Sequence, residues 1–378
     1  MMRIRYKIPL ITLGAVVLTA LISSFSNYQT NIKLIENAKK KELKMVARLI
    51  QNQLVEQSNV AAGKVAFVVS RPEVIKAFRA KNRDELISIM IPTFKIQRDK
   101  FGVRDAQFTL PPATTFLRLH NLALYNDDNS SFREMIIMSM KNQQSYQGIE
   151  IGRSGVSLRA IDVVKDAQGV IGTFEIGMSF GTILDELKMN TNFDAAIFIN
   201  DDLMTSIATS RHRASQDRIF GELQGIGATD WAKILPNMST QLLSKVNDVK
   251  TITQRINGVD YGVILIPLLD FKNSEIGVIV AISNFSNYQS QLSANLISSI
   301  AFGILQTLIL YGVVLVSFHV LLMRPLDHLN EVISARKNHQ QAEINPDLKS
   351  RSDEIGELAK NLDALNVECN KPESQHDA

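Results

Sequence analysis

The sequence predicts an α+β protein carried by two membrane helices, with a long stalk helix and two strand-rich modules between them and a short paired-helix relay after the second. Three observations carry this expectation: two long uncharged apolar stretches that bracket the chain, a helical hydrophobic period directly after the first, and short strands with turn punctuation from there to the second. With 378 residues, 45% of them hydrophobic, the chain is long enough for two compact domains besides its membrane segments. A formal net charge of +3 gives no ground for nucleic-acid binding.

Residues 1–7 hold Arg3, Arg5 and Lys7 and are expected on the cytoplasmic side by the positive-inside rule. Residues 8–26 form the first span. Their apolar run exceeds the roughly 7–15 residues of a secretory signal core, and no small-x-small cleavage site follows, so an uncleaved anchor is expected. Residues 296–323 carry only His319 as a titratable group and exceed the roughly 20 residues needed to span a bilayer. The sequence Phe25-Ser26-Asn27-Tyr28-Gln29 recurs as Phe285-Ser286-Asn287-Tyr288-Gln289, and aromatic rings with polar tips favour the headgroup zone, so both read as interface anchors. Cys369 is the single cysteine, which rules out a disulfide between the spans.

Residues 27–70 are expected to form the stalk. Ile32, Ile35, Leu43, Val46, Leu49, Ile50, Leu54 and Val55 recur at three- and four-residue steps, and no proline or glycine intervenes before Gly63. Lys39, Lys40 and Lys41 read as a solvated face. After Pro72, apolar strand-like runs appear at 105–110, 156–164, 170–180, 194–200, 203–209, 261–269 and 275–283. Two hairpins look alike, one turning at Asp166-Ala167-Gln168-Gly169 and returning through Ile171-Gly172, the other turning near Asp270 to Ser274 and returning through Ile276-Gly277. They stand about 105 residues apart, a domain-sized interval, which divides the region into a membrane-distal module over 71–190 and a membrane-proximal module over 191–290.

The stalk helix, the Arg71-Pro72-Glu73 turn, the run Leu110-Pro111-Pro112-Ala113-Thr114-Thr115-Phe116-Leu117-Arg118-Leu119-His120, the Gly148-Ile149-Glu150-Ile151-Gly152 segment and the Gly169–Gly177 hairpin strand resemble the double-Cache extracytoplasmic sensor domains of bacterial chemoreceptors and sensor kinases. The resemblance implies two PAS-like modules over about residues 30–290. It also implies that the distal one holds a small ligand while the proximal one couples to the membrane.

A polar ligand in a dry pocket needs partners, because an unpaired polar group there costs several kcal/mol. The candidates are Phe108 on its strand, Arg118 and His120 in the loop expected after it, Tyr125, Glu150 and Arg153 around the glycines, Arg159 on one strand and Glu175 on another. Strand alternation puts Phe174, Ile176 and Met178 on one face and Glu175 on the other. With both signs of charge present, a carboxylate and an amine ligand both stay open.

Beyond the second span, Pro325 stands at the tolerated start of a helix with Leu326, Leu329 and Ile333 on one side. A polar connector over about 340–352 leads to a second helix with Ile355, Leu358, Leu362 and Leu365 in a stripe. Residues 324–368, with Pro325 and the motif Asp353-Glu354-Ile355-Gly356, resemble the HAMP linker of bacterial receptors. The resemblance implies a parallel four-helix bundle in a homodimer, with Pro325, Glu354 and Gly356 as relay positions. Residues 369–378 have a disordered composition, so the expectation is either output in trans through a cytoplasmic partner or a truncated chemoreceptor or histidine kinase. The histidines (His120, His212, His319, His328, His339, His376) are scattered, and no metal-ligand spacing, nucleophile elbow or phosphate-cradling glycine loop is present, so neither catalysis nor a cofactor or metal is expected. The sequence therefore predicts a receptor of the bacterial inner membrane with its sensor outside, against the alternative of an envelope protein whose outer modules bind another protein.

Overall fold

The computed structural model describes residues 4–208, 215–244, 246–338, 340 and 342–369. It contains two compact units, Ile35–Gln289 and, separately, Met1–Leu34 with Ser290–Ala378. Helix α1 (Ile4–Val69) is one helix of 66 residues, with Pro9 inside its first turns, so the expected boundary between span and stalk at residues 26 and 27 is not a break in secondary structure. Nothing between Leu10 and Val69 removes a backbone donor, which is the local reason the helix continues.

In the first unit, α1 is joined by α2 (Pro72–Arg79) and α3 (Arg83–Phe101), the latter started by the Asn82 side chain accepting from the Glu85 amide and stopped by Gly102 in the left-handed conformation. A five-stranded antiparallel sheet follows, built from β1 (Val103–Leu110), β2 (Thr114–Arg118), β3 (Tyr146–Gly152), β4 (Gly155–Asp166) and β5 (Gly169–Met178), in the order β2-β1-β5-β4-β3. Helix α4 (Glu134–Asn142) covers one of its faces and α5 (Phe180–Asn190) leads onward. The second sheet has six strands, β6 (Asp194–Asn200), β7 (Ile219–Phe220), β8 (Leu223–Ala228), β9 (Lys250–Ile256), β10 (Val259–Leu269) and β11 (Glu275–Asn284), in the order β7-β8-β6-β11-β10-β9. Short helices α6 (Asp201–Ile207), α7 (Trp231–Ile234) and α8 (Thr240–Leu243) lie in its connections.

The predicted strand at 203–209 is corrected: residues through Ile207 are helix α6, and Thr209 lies outside the described residues. The Asn200 side chain accepts from the Leu203 amide at 3.1 Å, with Asp201 and Asp202 in the first turn. This capping signal outweighs the short apolar alternation. Strands β2, β3, β7, β8 and β9 were not among the predicted runs. β9 alternates half-buried and exposed residues at a sheet edge and carries only Ile252 and Ile256 as large apolar side chains.

One core runs along α1. Val65, Val68, Phe78 and Phe94 meet the apolar face of the first sheet through Phe108, Phe174, Ile176 and Met178, while Leu43, Val46 and Ile50 meet the second sheet through Ile264, Ile266 and Ala281. Phe108 therefore belongs to this core, with its ring 5.2 Å from Phe78 and 4.5 Å from Phe174. Lys39 is buried rather than solvated and pairs with Asp260 at 3.3 Å, whereas Lys40 and Lys41 are exposed. Phe285 is likewise not an interface anchor: it is 2% exposed, packs edge-on to Phe193 and Tyr288, and the Tyr288 hydroxyl donates to Glu42 at 2.6 Å.

In the other unit, α9 (Ser286–Phe318) passes through a π-helical stretch at His319–Met323 into α10 (Arg324–Lys337). Two helical stretches, Tyr6–Val69 and Ser286–Lys337, are long and apolar enough to cross a membrane. After α11 (Pro346–Lys349) comes α12 (Glu354–Cys369); the tail from Asn370, together with His212, His339 and His376, lies outside the described residues. Leu329, Val332, Ile344, Leu348 and Ala359 form a small core, so the connector expected to be polar contributes two buried apolar side chains. Ile333, Leu358 and Leu365 remain exposed. Asp353 accepts from the Gly356 amide at 3.1 Å and from Arg351, which holds its carboxyl down at about 2. A Cβ at Gly356 would collide with the Arg351 carbonyl, so the spacing of this motif is set by a cap and a close backbone approach.

The tip of the β10–β11 hairpin docks on edge strand β3. The Phe271 amide donates to the Ile149 carbonyl at 3.0 Å, and its ring packs edge-on to Tyr146 beside Met135 and Ile136. Gly148 has φ +146°, and a Cβ there would stand 2.9 Å from the Phe271 Cβ. Gly148→Ala is expected to destabilise the full chain in detergent by about 1–3 kcal/mol in urea unfolding. Gly63→Ala, on an open stretch of α1, is expected to be neutral or to stabilise by roughly 0.5–1 kcal/mol.

Candidate ligand-binding site

The two sheets share one arrangement and differ in the chemistry of the face turned away from α1. In the second sheet that face is apolar: Phe198, Val263, Leu265, Val278 and Val280 pack under Trp231, Ile234 and Leu243. In the first sheet it is charged. Asp105, Gln107, Arg118, Ser157, Arg159, Thr173 and Glu175 are all buried there, and Asn129, Arg133 and Glu150 close over them.

Register explains the grouping. Gln107 pairs with Arg118 on β2 and with Glu175 on β5, and Asp105 pairs with Gly177, which pairs in turn with Arg159 on β4. Gly177 leaves the room through which Arg159 reaches Asp105, since a Cβ there would lie 3.2 Å from the Asp105 Oδ2. Arg159 donates to Glu175 and to Asp105, both at 3.3 Å, and Arg104 adds a second cation on Asp105 at 3.0 Å. Arg133, the residue before α4, donates to Glu150 at 2.8 Å and to Glu175, while the Met135 amide donates to the other Glu150 oxygen at 2.9 Å. Arg118 donates to Gln107 at 2.9 Å, to Thr115 at 3.2 Å and to Asp127.

The electrostatics follow from burial and pairing. Burial pushes the Glu175 carboxyl up, but Arg133 and Arg159 together hold it below the ordinary glutamate range. Asp105 is similarly held low by Arg159, Arg104 and His120 against its own desolvation. Desolvation lowers Arg133, yet Glu150 and Glu175 raise it well above its ordinary value. Burial, with Arg133 nearby, lowers Arg159. His120 sits with Nδ1 accepting from the Ala106 amide at 3.3 Å, and burial lowers its pKa despite Asp105 at 3.9 Å.

These groups surround a cavity of only ≈ 20 Å³, lined among others by Asp105, Arg118, Asn129, Arg133, Arg159 and Glu175. Arg159 Nε and the Ser157 and Thr173 hydroxyls on this face have no hydrogen-bond partner among the described residues.

Of the residues read from sequence, Arg118, His120, Glu150, Arg159 and Glu175 come together here, and Arg153 lies at the rim with its guanidinium over Phe132. Arg118 ends strand β2 rather than standing in a loop. Phe108 is on the opposite face. Tyr125 is 50% exposed and stacks on Arg83 outside the cluster, because the loop that carries it turns away after His120. Sequence reading missed Asp105, Gln107, Asn129 and Arg133. The first two alternate with Ala106 and Phe108 and were legible as the strand's polar face. Arg133 has no periodic context, being a loop residue before a short helix.

Two α+β modules lie along one helix, the first with buried charge under a helical cap. The family model for the double sensory domain of two-component sensor kinases (dCache_3) matches residues 36–289, more than half of the chain, and the protein belongs to that family. No curated protein matches the sequence. The fold is similar to the sensor domain of the V. cholerae histidine kinase DctB (11% identity, 66% of this chain and 98% of that one, TM-score 0.40). It is also similar to the Campylobacter jejuni chemoreceptor Tlp3 ligand-binding domain in complex with L-valine (9% identity, 71% and 98%, TM-score 0.42). A third likeness is to a domain of a putative sensory box/GGDEF family protein from Vibrio parahaemolyticus (13% identity, 68% and 99%, TM-score 0.42).

Two outcomes are expected. Arg133→Met strands Glu150 and Glu175 without their shared cation and should destabilise the protein by about 3–5 kcal/mol in urea unfolding, part of it recovered in Arg133→Met with Glu175→Gln. The second concerns pH. His120, Asp105 and Glu175 all have folded pKa values below their unfolded ones, so the unfolded chain binds more protons and acid destabilises the fold. The His120 contribution is present above the ordinary value of 6.5 and is lost as pH falls through its lower folded value; the carboxylates act below about pH 4. Melting temperature should fall on acidification, and His120→Asn should remove the part above about pH 4.5.

Proposed function

We propose that this protein is a transmembrane signal receptor of the bacterial inner membrane whose distal module senses a small ligand outside the cytoplasm. The observation that carries the reading is the buried charge on the distal sheet's outer face, at the position where the proximal sheet has a plain apolar core. Buried charge that serves only stability is readily replaced by apolar packing, as the proximal module does, so its presence points to recognition.

The cavity volume of ≈ 20 Å³ holds about one water, so a ligand enters only as the cap segment bearing Arg133 lifts. With Arg133 withdrawn, Glu150 has no side-chain cation left among the described residues and Glu175 keeps Arg159 alone, while Arg118 stays paired with Asp127. An amine restores the balance that Arg133 supplies in the closed state, and Arg159 Nε is open to an acceptor group on the same ligand. This favours an amine-bearing ligand over a simple carboxylate. Opening of the cap is passed on at the residue next to Arg133, because Glu134 pairs with Lys272 at the tip of the β10–β11 hairpin beside Phe271. The return strand ends at Asn284 and α9 begins at Ser286, so the hairpin's chain leads straight into the second apolar helix.

In this reading α10 and α12 form a cytoplasmic HAMP-type relay in which Pro325, Glu354 and Gly356 set the helix starts. Two chains close a four-helix bundle over Ile333, Leu358 and Leu365, which one chain leaves exposed, and the output passes to a partner in trans. The protein acts by binding rather than catalysis. A ligand must bind the open and closed states unequally for any signal to pass.

Thermal-shift screening of the full chain in detergent against small amines and carboxylates tests this proposal. Amines are expected to raise the melting temperature by mass action, and Glu175→Gln to abolish the rise. A panel with no effect, or a shift untouched in Glu175→Gln, would overturn the distal site. Protease protection that placed the α12 end and Trp231 on one side of the bilayer would overturn the topology.

A further inference from the structure

A second cavity, of ≈ 530 Å³, opens where the two modules meet, and it is separate from the closed distal one. Its volume falls within the roughly 300–1,000 Å³ of small-molecule sites. The distal module contributes Phe132 and Glu134 from the start of α4 with Glu150 and Ile151 from β3. The proximal module contributes Asp270, Phe271 and Ile276 from the hairpin, and Leu203, Ser206 and Ile207 from α6.

Three carboxylates line this cleft and, among the described residues, no lysine or arginine does. Glu150 is committed to Arg133 and the Met135 amide, and Glu134 pairs outward with Lys272. Asp270 spends Oδ1 on the turn amides of Lys272 and Ser274, both at 2.8 Å, while its Oδ2 has no hydrogen bond among the described residues. Arg133 and Lys272 neutralise Glu150 and Glu134 from outside the lining and Lys272 also acts on Asp270, so the open Asp270 Oδ2 is the acceptor that a cation meets between these low-dielectric apolar walls. The walls themselves, chiefly Phe132, Ile207 and Phe271, ask for an apolar body on that cation.

We propose that this cleft is a second ligand site, taking a small organic cation with a short aromatic or aliphatic body wedged between the modules. The ammonium group lies toward Asp270 and Glu134, and the body lies against Phe271 and the α6 side chains. Such an occupant touches the hairpin tip and the start of α4 at once. It therefore sets how firmly the distal module grips the hairpin, independently of whether the distal cavity is filled.

The test uses the full chain in detergent and two probes of similar shape and opposite charge, phenethylamine and 3-phenylpropionate, in calorimetric titration. Phenethylamine is expected to bind and 3-phenylpropionate not to. Ser206→Trp, an exposed α6 position whose new ring fills the cleft, should weaken phenethylamine at least tenfold, and Glu134→Gln should weaken it severalfold. No binding by phenethylamine, equal binding by both probes, or binding unchanged in both Ser206→Trp and Glu134→Gln would overturn the proposal. Binding that survives Ser206→Trp but is lost in Glu175→Gln would assign the amine to the distal cavity and remove the cleft site.

Discussion

Arg133 and the two glutamates it bridges are the constraint on which the distal module rests. A guanidinium at 4% exposure is stable only if its donors are met, and Glu150 and Glu175 meet them from two different strands. Because Arg133 precedes α4, the same pairing fixes where the helix begins, and the Met135 amide on Glu150 completes it. The start of the cap is thus held by charge, while α4 behind it packs Met135 and Ile136 against Ala113 and Ile161; the charged joint is strong when complete and weak once one partner is withdrawn.

The proximal module shows what the alternative looks like. Its outer face carries valines, leucines and Phe198 under Trp231, a closed packing that leaves little for a polar molecule to recognise. One architecture used twice along a shared helix therefore differs in side-chain chemistry, the first sheet's outer face being charged and buried and the second's apolar. The hairpin tip at Phe271 and Lys272 joins them with a backbone hydrogen bond, a ring contact and an ion pair within three residues of chain. The joint is local: α6 also packs against β3 and β4, and an open cleft lies beside the hairpin tip.

The sensor assignment rests on two independent supports. The family match covers residues 36–289, and the first sheet of that span buries a cluster of charged side chains on its outer face. The parts of the chain outside that span, including the helices after Pro325, stand on their own geometry: a capped helix start at Asp353, a close approach at Gly356 and a small apolar core around Leu329 and Ile344.

Sequence periodicity by itself determined the long helix, the two hairpins with their turns at Asp166 and Asp270, and the facing of Phe174 against Glu175, because each depends only on neighbours two to four residues away. The family resemblance marked Arg118 and Glu150 as candidates, and Arg159 and Glu175 stood out as charges on expected strands. Local sequence pattern misread 203–209, where a cap at Asn200 decides between helix and strand, and it misjudged Phe285 and Lys39, whose burial is set by residues more than ninety positions away. Only the tertiary structure could show that Arg133 closes the site, that Phe108 stands on the wrong face of its sheet, and that Phe271 binds the modules together. These depend on strand register and on which loop folds over which face, and no local pattern encodes either.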